Sequence, residues 1–302
     1  MQFHFAEPQT QIEELAGGNF YIHAVGRINP ADDIAFEDFL KATNAPPRCT
    51  VYIDSIGGDV EAAIGIGRLI RGAWLSTDVG RYEFSGGGKA EPYIRSRKKL
   101  GGRCLIAATL MYLGGRLRYL DDEARFGVHQ FKFQASGEPD AAEVQVAKAQ
   151  NLSARISAYV VEMGISSEFL VLSASVPGSE MLYVSRSDLE RIGVVTGGQT
   201  KVTWTLEANS GLSYVKGDRD SLFGHHKVML GYRRGHGFLF WAVIETQGRS
   251  RELLNFPVVE IVINGEDMRI DVGARCERFE NGVYTNFFAR VSEEEARAMA
   301  HS

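Results

Sequence analysis

Three short segments carry residue types that could perform acyl-transfer chemistry. Gly57 and Gly58 follow an apolar strand pattern, Cys104 stands just before a predicted helix, and His129 follows an apolar stretch. Adjacent glycines let a ligand approach the backbone and leave N–H groups free to bind an oxyanion. A helix N-terminus activates a thiol, and a histidine can act as its general base. Each residue also has a structural explanation: a tight turn, a buried thiol and a hydrogen-bonded core histidine.

The elements that must position these residues alternate between strand and helix from residue 19 to residue 196. This alternation favours a largely parallel, right-handed α/β arrangement. Asn29, with Pro30 at the first helical position, predicts the start of one helix. After Gly58, apolar residues at helical spacing predict a helix that packs one face against the sheet: Val60, Ala63, Ile64, Gly67 and Ile70.

Three segments, in this order, resemble those of Clp-type serine peptidases. They are VYIDSIGGDVEAAIGIGRLIR at 51 to 71, GRCLIAATLMYLGG at 102 to 115, and ARFGVHQF at 124 to 131. The resemblance implies an α/β fold, a ClpP/crotonase-like domain of repeated β-β-α/αβ units over residues 1 to 198. The second segment is closest to a secreted or periplasmic Clp-like group that carries approximately CASACTLAFLGG, which aligns here without a gap.

That alignment places Cys104 on the cysteine, Ala107 on the alanine and Ile106 on the catalytic serine. Counting back from Gly115, which matches the glycine after the nucleophile helix, leads to the same position. Isoleucine has no hydroxyl and cannot form an acyl intermediate, so serine catalysis at residue 106 is excluded. By the same resemblance, His129 takes the position of the general base.

The oxyanion hole of the family corresponds here to Gly57 and Gly58. The acidic member of the triad is missing at its expected place, because Met181 stands about where Clp peptidases carry an aspartate. Glu180 and Ser179 are neighbours of that position and do not match it. His129 could still be oriented if another acceptor held its second ring nitrogen.

Two classes of function follow. The preferred one is a noncatalytic Clp-like protein, a pseudoenzyme whose Gly57-Gly58 edge and cleft bind an extended peptide or form an assembly surface. The alternative is a hydrolase, a peptidase or esterase, that uses Cys104 as nucleophile with His129 and the glycine amides. A water-directed reaction of crotonase type, in which these amides polarise a thioester carbonyl, belongs to the same alternative.

A long amphipathic helix is predicted over residues 140 to 163, followed by Gly164. Its apolar stripe includes Val146, Leu152 and Tyr159. In Clp peptidases the corresponding helix is the one through which rings meet, so the resemblance implies self-association through this segment. Packing against the sheet of its own domain is the alternative.

The pattern changes after Gly198 to short alternating strands. Asn264-Gly265 and Asn281-Gly282 are signals of tight hairpins, so residues 200 to 290 are expected to form an antiparallel β-sandwich or barrel. The small sandwich is the preferred form, within a β-rich domain of residues 199 to 302. Ser292 and Glu295 predict the cap of a short terminal helix. The aromatic residues of this domain, Trp204 and Phe240 among them, are expected to fill its core.

Composition and charge limit the partners, cofactors and cellular locations that we expect. The 302 residues carry a net charge of -5, and 44% are hydrophobic, as is ordinary for a globular protein. The negative charge argues against a nucleic-acid partner, and no stretch has the length of a membrane span. The three cysteines lack metal-binding spacing, so no metal or cofactor is predicted. The N-terminal segment predicts a cytoplasmic protein, or a periplasmic or secreted one if a signal peptide has been removed.

Overall fold

The computed structural model describes residues 1–15, 20–84, 97–131, 142–209, 211–263 and 268–301. The chain divides into two compact units, Met1–Gly197 and Gly198–Ser302. The first is a mixed α/β unit, and the second is built mainly from antiparallel strands.

The main sheet of the first unit has four strands in the order β1-β2-β3-β4. Strand β2 is antiparallel to β1, and β2, β3 and β4 are mutually parallel. Alternation of buried and half-buried residues along β3 places Val51 and Ile53 in the core. The bounds are β1 Gln2–Ala6, β2 Tyr21–Val25, β3 Thr50–Asp54 and β4 Ser76–Val79.

A second, three-stranded sheet continues from the end of β3. It consists of β7 (Arg103–Leu105), β8 (Arg125–Val128) and β9 (Leu182–Tyr183), with β7 parallel to β8 and β9 antiparallel to it. A single bridge between Ser55 and Cys104 joins the two sheets. Strands β5 (Arg81–Phe84) and β6 (Arg97–Leu100) form a separate antiparallel pair.

Seven helices belong to the described part of the first unit. They are α1 Gln11–Leu15, α2 Asp32–Thr43, α3 Val60–Gly72, α4 Ala107–Leu113, α5 Ala142–Glu162, α6 Glu168–Ala174 and α7 Arg186–Arg191. Helix α4 is wholly buried, and α3 packs against it. The predicted stripe of α3 lies in the core, where Ala63, Ile64 and Ile70 are buried. The strand, glycine turn and helix of this region therefore form as the sequence pattern predicts.

The start of α2 differs from the prediction. The helix begins at Asp32 after Ala31, which has a positive φ of 66°, and Asn29 makes no side-chain cap. Instead, the Asn29 N–H donates to the Asp32 carboxylate at 2.6 Å. Because the left-handed Ala31 delays the start of the helix to Asp32, Asn29 lies two residues before the N-cap position and does not cap the first turn.

Arg118 ties the ends of two helices together from a buried position. Its guanidinium donates to the carbonyl oxygens of Val194 at 2.7 Å and of Gly193 and Gly115 at 2.8 Å. The Arg118 carbonyl oxygen accepts the N–H groups of Thr196 and Gly197, the last residues of the unit. These bonds satisfy carbonyl groups that helix ends otherwise leave without partners.

The second unit contains one six-stranded antiparallel sheet in the order β10-β11-β12-β13-β17-β16 and a separate pair, β14-β15. Within the described ranges there is no second sheet of comparable size, so a β-sandwich is not confirmed, whereas the antiparallel character is. The strands are β10 Thr203–Asn209, β11 Leu212–Ser221, β12 Gly224–Arg233, β13 Gly237–Glu245, β14 Glu260–Ile263, β15 Met268–Asp271, β16 Cys276–Asn281 and β17 Tyr284–Val291.

Two helices complete the second unit, α8 (Ser250–Leu254) and α9 (Glu293–Ala300). Ser292 and Glu295 form the predicted capping box of α9. The Asn281-Gly282 turn joins β16 to β17, with a φ of 60° at Gly282, and the Asn264-Gly265 turn lies outside the described residues. None of the helices in the described ranges is both long and apolar enough to cross a bilayer.

Candidate functional site

Strand β7 turns into helix α4 at Ile106, the residue aligned with a catalytic serine. Ile106 has φ 54° and ψ −118°, and its N–H donates to the Gly127 carbonyl oxygen at 3.0 Å. A positive φ is a genuine outlier for a β-branched residue and costs about 1–3 kcal/mol. A sharp, strained strand-to-helix turn of this type presents the nucleophile in many hydrolases. Here the same turn presents a half-buried isoleucine side chain.

Gly57 packs directly against this turn. A Cβ on Gly57 would stand 2.7 Å from the Leu105 carbonyl oxygen and 3.1 Å from both the Ala107 nitrogen and the Ile106 Cβ. Gly57 also has a φ of 88°, so both its conformation and its surroundings require glycine. The glycine turn after β3 and the turn at Ile106 are therefore in contact.

The N–H groups of Gly57 and Gly58 differ in whether they already donate a hydrogen bond within the protein. The Gly57 N–H donates to the buried Ser55 hydroxyl oxygen at 3.1 Å. Among the described residues, none accepts a hydrogen bond from the Gly58 N–H. Gly58 itself lies against Ile28, whose carbonyl oxygen a Cβ at this position would strike. Of the two predicted oxyanion donors, the Gly58 N–H is the one left without an intramolecular acceptor.

His129 follows the last residue of β8 and is half-buried. Its Nδ1 lies 2.7 Å from the Gln130 carbonyl oxygen. A carbonyl oxygen only accepts, so Nδ1 carries the proton and a neutral His129 has Nε2 as an acceptor. Gln130 is held in turn, because its N–H donates to Val176 at 3.0 Å and its side-chain amide donates to Ala174 at 2.9 Å.

Met181 lies where the acidic residue of a triad is expected. Strand β9 pairs antiparallel with β8 through Val128↔Leu182, so one further step of the register places Met181 opposite His129. The Met181 sulfur packs over Gly127, where a Cβ would come within 2.7 Å of it. A thioether is only a weak acceptor, so the Gln130 carbonyl and not this side chain orients the imidazole.

Cys104 is completely buried in β7, behind the turn. Burial raises the pKa of its thiol well above the ordinary value, because the charged thiolate is poorly solvated there. The thiolate is the nucleophilic form, so Cys104 is an inert thiol in this conformation.

The structure brings Gly57 and Ile106 into contact and places Ile106 and His129 after the carboxyl ends of adjacent parallel strands. The sequence-based hypothesis missed two residues. The Ser55 hydroxyl accepts the Gly57 N–H, and the Gln130 carbonyl oxygen accepts a hydrogen bond from the His129 imidazole. Ser55 acts through its side chain and Gln130 through its backbone, and no residue pattern marks either contact. Among the residues with described positions, no three His, Cys, Asp or Glu side chains converge as a metal site requires.

Comparison with known proteins identifies no family. No family model matches the chain, and no curated protein matches it. Among solved structures, the chain is similar to a ClpP1 mutant from Listeria monocytogenes, with 20% sequence identity and a TM-score of 0.39. That similarity covers 57% of this chain and 86% of the other.

Proposed function

We propose that this chain is a noncatalytic Clp-peptidase-like protein, a pseudoenzyme that binds an extended peptide or takes part in an assembly. The observation that carries the proposal is the backbone of Ile106, which keeps a strained turn suited to presenting a nucleophile while its side chain has no nucleophilic atom. We also propose that residues 1–198 form a ClpP/crotonase-like domain and residues 199–302 a separate sandwich-like domain. A cytoplasmic location, or a periplasmic or secreted one, remains a prediction.

The surroundings of Ile106 support binding without chemistry. The thiol of Cys104 cannot substitute for the missing hydroxyl, because it is buried and its pKa is raised. The Gly58 N–H, by contrast, has no acceptor among the described residues, and the neighbouring Ile56 side chain is 42% exposed. A free amide beside an exposed apolar side chain suits an extended peptide, which adds main-chain hydrogen bonds and side-chain contacts together.

Helix α5 supports the assembly part of the proposal. Of the residues in the predicted stripe, Leu152, Ile156 and Tyr159 are buried in the unit, whereas Val146 is 56% exposed and Ala149 is also exposed. The apolar stripe predicted from the sequence therefore packs only over its second half. We propose that the first half contacts another copy of the chain.

A covalent-labelling experiment tests whether the site is inactive. The native protein is incubated with a fluorophosphonate and, separately, with a peptide chloromethyl ketone, and its intact mass is measured. We expect no adduct from either reagent. A rapid stoichiometric adduct on Cys104 or His129 would overturn the proposal and make the protein a cysteine-dependent hydrolase.

Ile106→Ser tests the scaffold separately. A fluorophosphonate adduct on this variant, lost again in Ile106→Ser combined with His129→Ala, would mean that the turn, the imidazole and the Gly58 amide are still aligned. Lack of reaction would mean that the cleft no longer supports a nucleophile, which narrows the proposal to binding alone.

Peptide binding is tested by fluorescence anisotropy with fluorescein-labelled oxidised insulin B chain. We expect saturable binding that Ile56→Asp weakens by about fivefold or more, because a charge replaces an apolar contact. Ile34→Asp is the matched control, since Ile34 is also an exposed isoleucine but belongs to α2 and not to the glycine turn. Equal effects of the two substitutions, or no saturable binding, would contradict a peptide site at this edge.

A further inference from the structure

The second unit contains an apolar cavity of about 760 Å³. One wall is a face of the six-stranded sheet, where Leu230, Phe240 and Phe287 line the space. The other wall comes from β14 and α9, including Ile261 and Met299. The cavity lies entirely within Gly198–Ser302, whereas the turn at Ile106 belongs to Met1–Gly197.

The cavity takes the place of a closed hydrophobic core. In the described part of this unit, the buried apolar cluster consists of Ile263, Ile270, Val272 and Ala289. Phe240, expected from the sequence to fill the core, is only half-buried, and Trp204 is 63% exposed at the edge of the cavity. Protein interiors are normally close-packed. An apolar space this large inside a unit of this size therefore indicates a binding site for a ligand.

The residues that line the cavity indicate which class of molecule it can bind. Apart from Glu260 and Cys276, the lining side chains in the described part of the chain are aliphatic, aromatic or the thioethers of methionine. No lysine or arginine lines the cavity, and the Glu260 carboxylate pairs with Arg269 at 3.0 Å. Apolar cavities stay dry and accept apolar molecules, whereas a desolvated anion would find no cation here.

The volume fits a small molecule. Pockets for small ligands enclose roughly 300–1,000 Å³, and a few polar groups at the edge usually fix the orientation. The Cys276 thiol and the Glu260 carboxylate are the polar side-chain groups available for a hydroxyl or amide head. We infer that the second unit binds one neutral molecule with a single alkyl chain, such as a long-chain alcohol, and discriminates against the corresponding carboxylate.

A displacement assay with the full-length protein tests this inference. The neutral probe N-phenyl-1-naphthylamine is bound first, and dodecan-1-ol and dodecanoate are titrated as competitors. We expect dodecan-1-ol to displace the probe and dodecanoate to compete about tenfold less well or worse, because the carboxylate must be desolvated near Glu260. Saturation with dodecan-1-ol should also protect Cys276 from maleimide labelling.

Two substitutions on one strand locate the site. Ala242 lines the cavity, whereas Val243 is the next residue and points to the opposite face of the sheet. Ala242→Trp should abolish binding of the probe and of dodecan-1-ol, whereas Val243→Trp should leave both unchanged. Circular dichroism and the Tm verify that both variants fold. Glu260→Gln, at an exposed position, provides a test that does not depend on core packing, and should reduce the preference for the alcohol by about threefold or more.

Several results would overturn the inference. They are the absence of saturable probe binding, equal competition by the alcohol and the carboxylate, and equal loss in both tryptophan variants. Binding to phosphatidylcholine vesicles without displacement by free dodecan-1-ol would assign the apolar surface to a membrane and not to a single molecule. The proposed function of the first unit is unaffected by any of these results, since the site lies in the second unit.

Discussion

The Tyr159 hydroxyl donates a hydrogen bond of 2.9 Å to the Leu110 carbonyl oxygen, which joins the last turn of α5 to the buried helix α4. Gly67 of α3 lies against the same hydroxyl, and a Cβ at this position would collide with it. The absence of a side chain at residue 67 is therefore what allows α3, α4 and α5 to meet.

We expect Gly67→Ala to lower the free energy of unfolding by about 2–4 kcal/mol, because it overpacks the contact and displaces a buried hydroxyl from its acceptor. Gly72→Ala is the matched control, because Gly72 ends the same helix and a Cβ there would meet nothing within 4 Å. Urea denaturation should show Gly72→Ala within about 1 kcal/mol of the parent. Similar losses in both variants would mean that the Tyr159 contact is not the cause.

The strain at Ile106 can be measured by comparing glycine and alanine there. Ile106→Gly and Ile106→Ala both remove the side chain, but only alanine keeps a Cβ at φ 54° and ψ −118°. We expect Ile106→Gly to be the more stable variant by about 1 kcal/mol or more, since glycine adopts this conformation freely.

The control pair for that comparison is Ile34→Gly and Ile34→Ala, at an exposed position in α2. There alanine should be more stable by about 1 kcal/mol, because glycine is the poorer helix former. An alanine preference at residue 106 as well would contradict a strained turn.

The stability of the first unit should decrease in mild acid through His23. Burial, with smaller effects of His4 and Arg81, lowers the pKa of His23 from 6.5 to about 4. Its Nε2 accepts the Tyr82 N–H at 2.9 Å, which requires the unprotonated ring. Between pH 6.5 and about 4 the unfolded chain therefore binds more protons than the native one, and the free energy of unfolding falls as the pH decreases.

For a side chain that remains partly exposed, this loss is about 1–2 kcal/mol. The measurement is urea denaturation at pH 7.5 and pH 4.5 for the parent and for His23→Gln. The variant should lose less stability between the two conditions, because it has no imidazole to titrate. An equal loss in both proteins would assign the pH dependence to other groups.

The three thiols should react at very different rates. Cys104 and Cys49 are buried, and burial raises the pKa of Cys49 to about 12, whereas Cys276 is only partly buried. With Ellman's reagent at pH 8, we expect Cys276 to react about a hundredfold faster than the other two in the native protein. All three should react in 6 M guanidinium chloride. Fast modification of Cys104 in the native state would instead support the alternative hypothesis of a cysteine-dependent hydrolase.

Local pattern accounts for much of the fold and less of the site. The apolar stripe of α3, the Asn281-Gly282 hairpin and the capping box of α9 depend on residues close in sequence, and they form as predicted. The different availability of the Gly57 and Gly58 amides depends on the Ser55 hydroxyl, which accepts only the Gly57 N–H. The predicted cap at Asn29 was wrong because the left-handed Ala31 delays the start of the helix to Asp32. Such details arise from tertiary contacts, which periodicity does not encode.

The attachment of Thr196 and Gly197 to Arg118 has a mechanical consequence. A pulling force applied through the chain beyond Gly197 would reach the first unit at these two amides, next to a guanidinium that is itself bonded to Val194 and Gly115. The load would thus fall on a buried network that must break cooperatively, and not on a terminus that peels away one residue at a time.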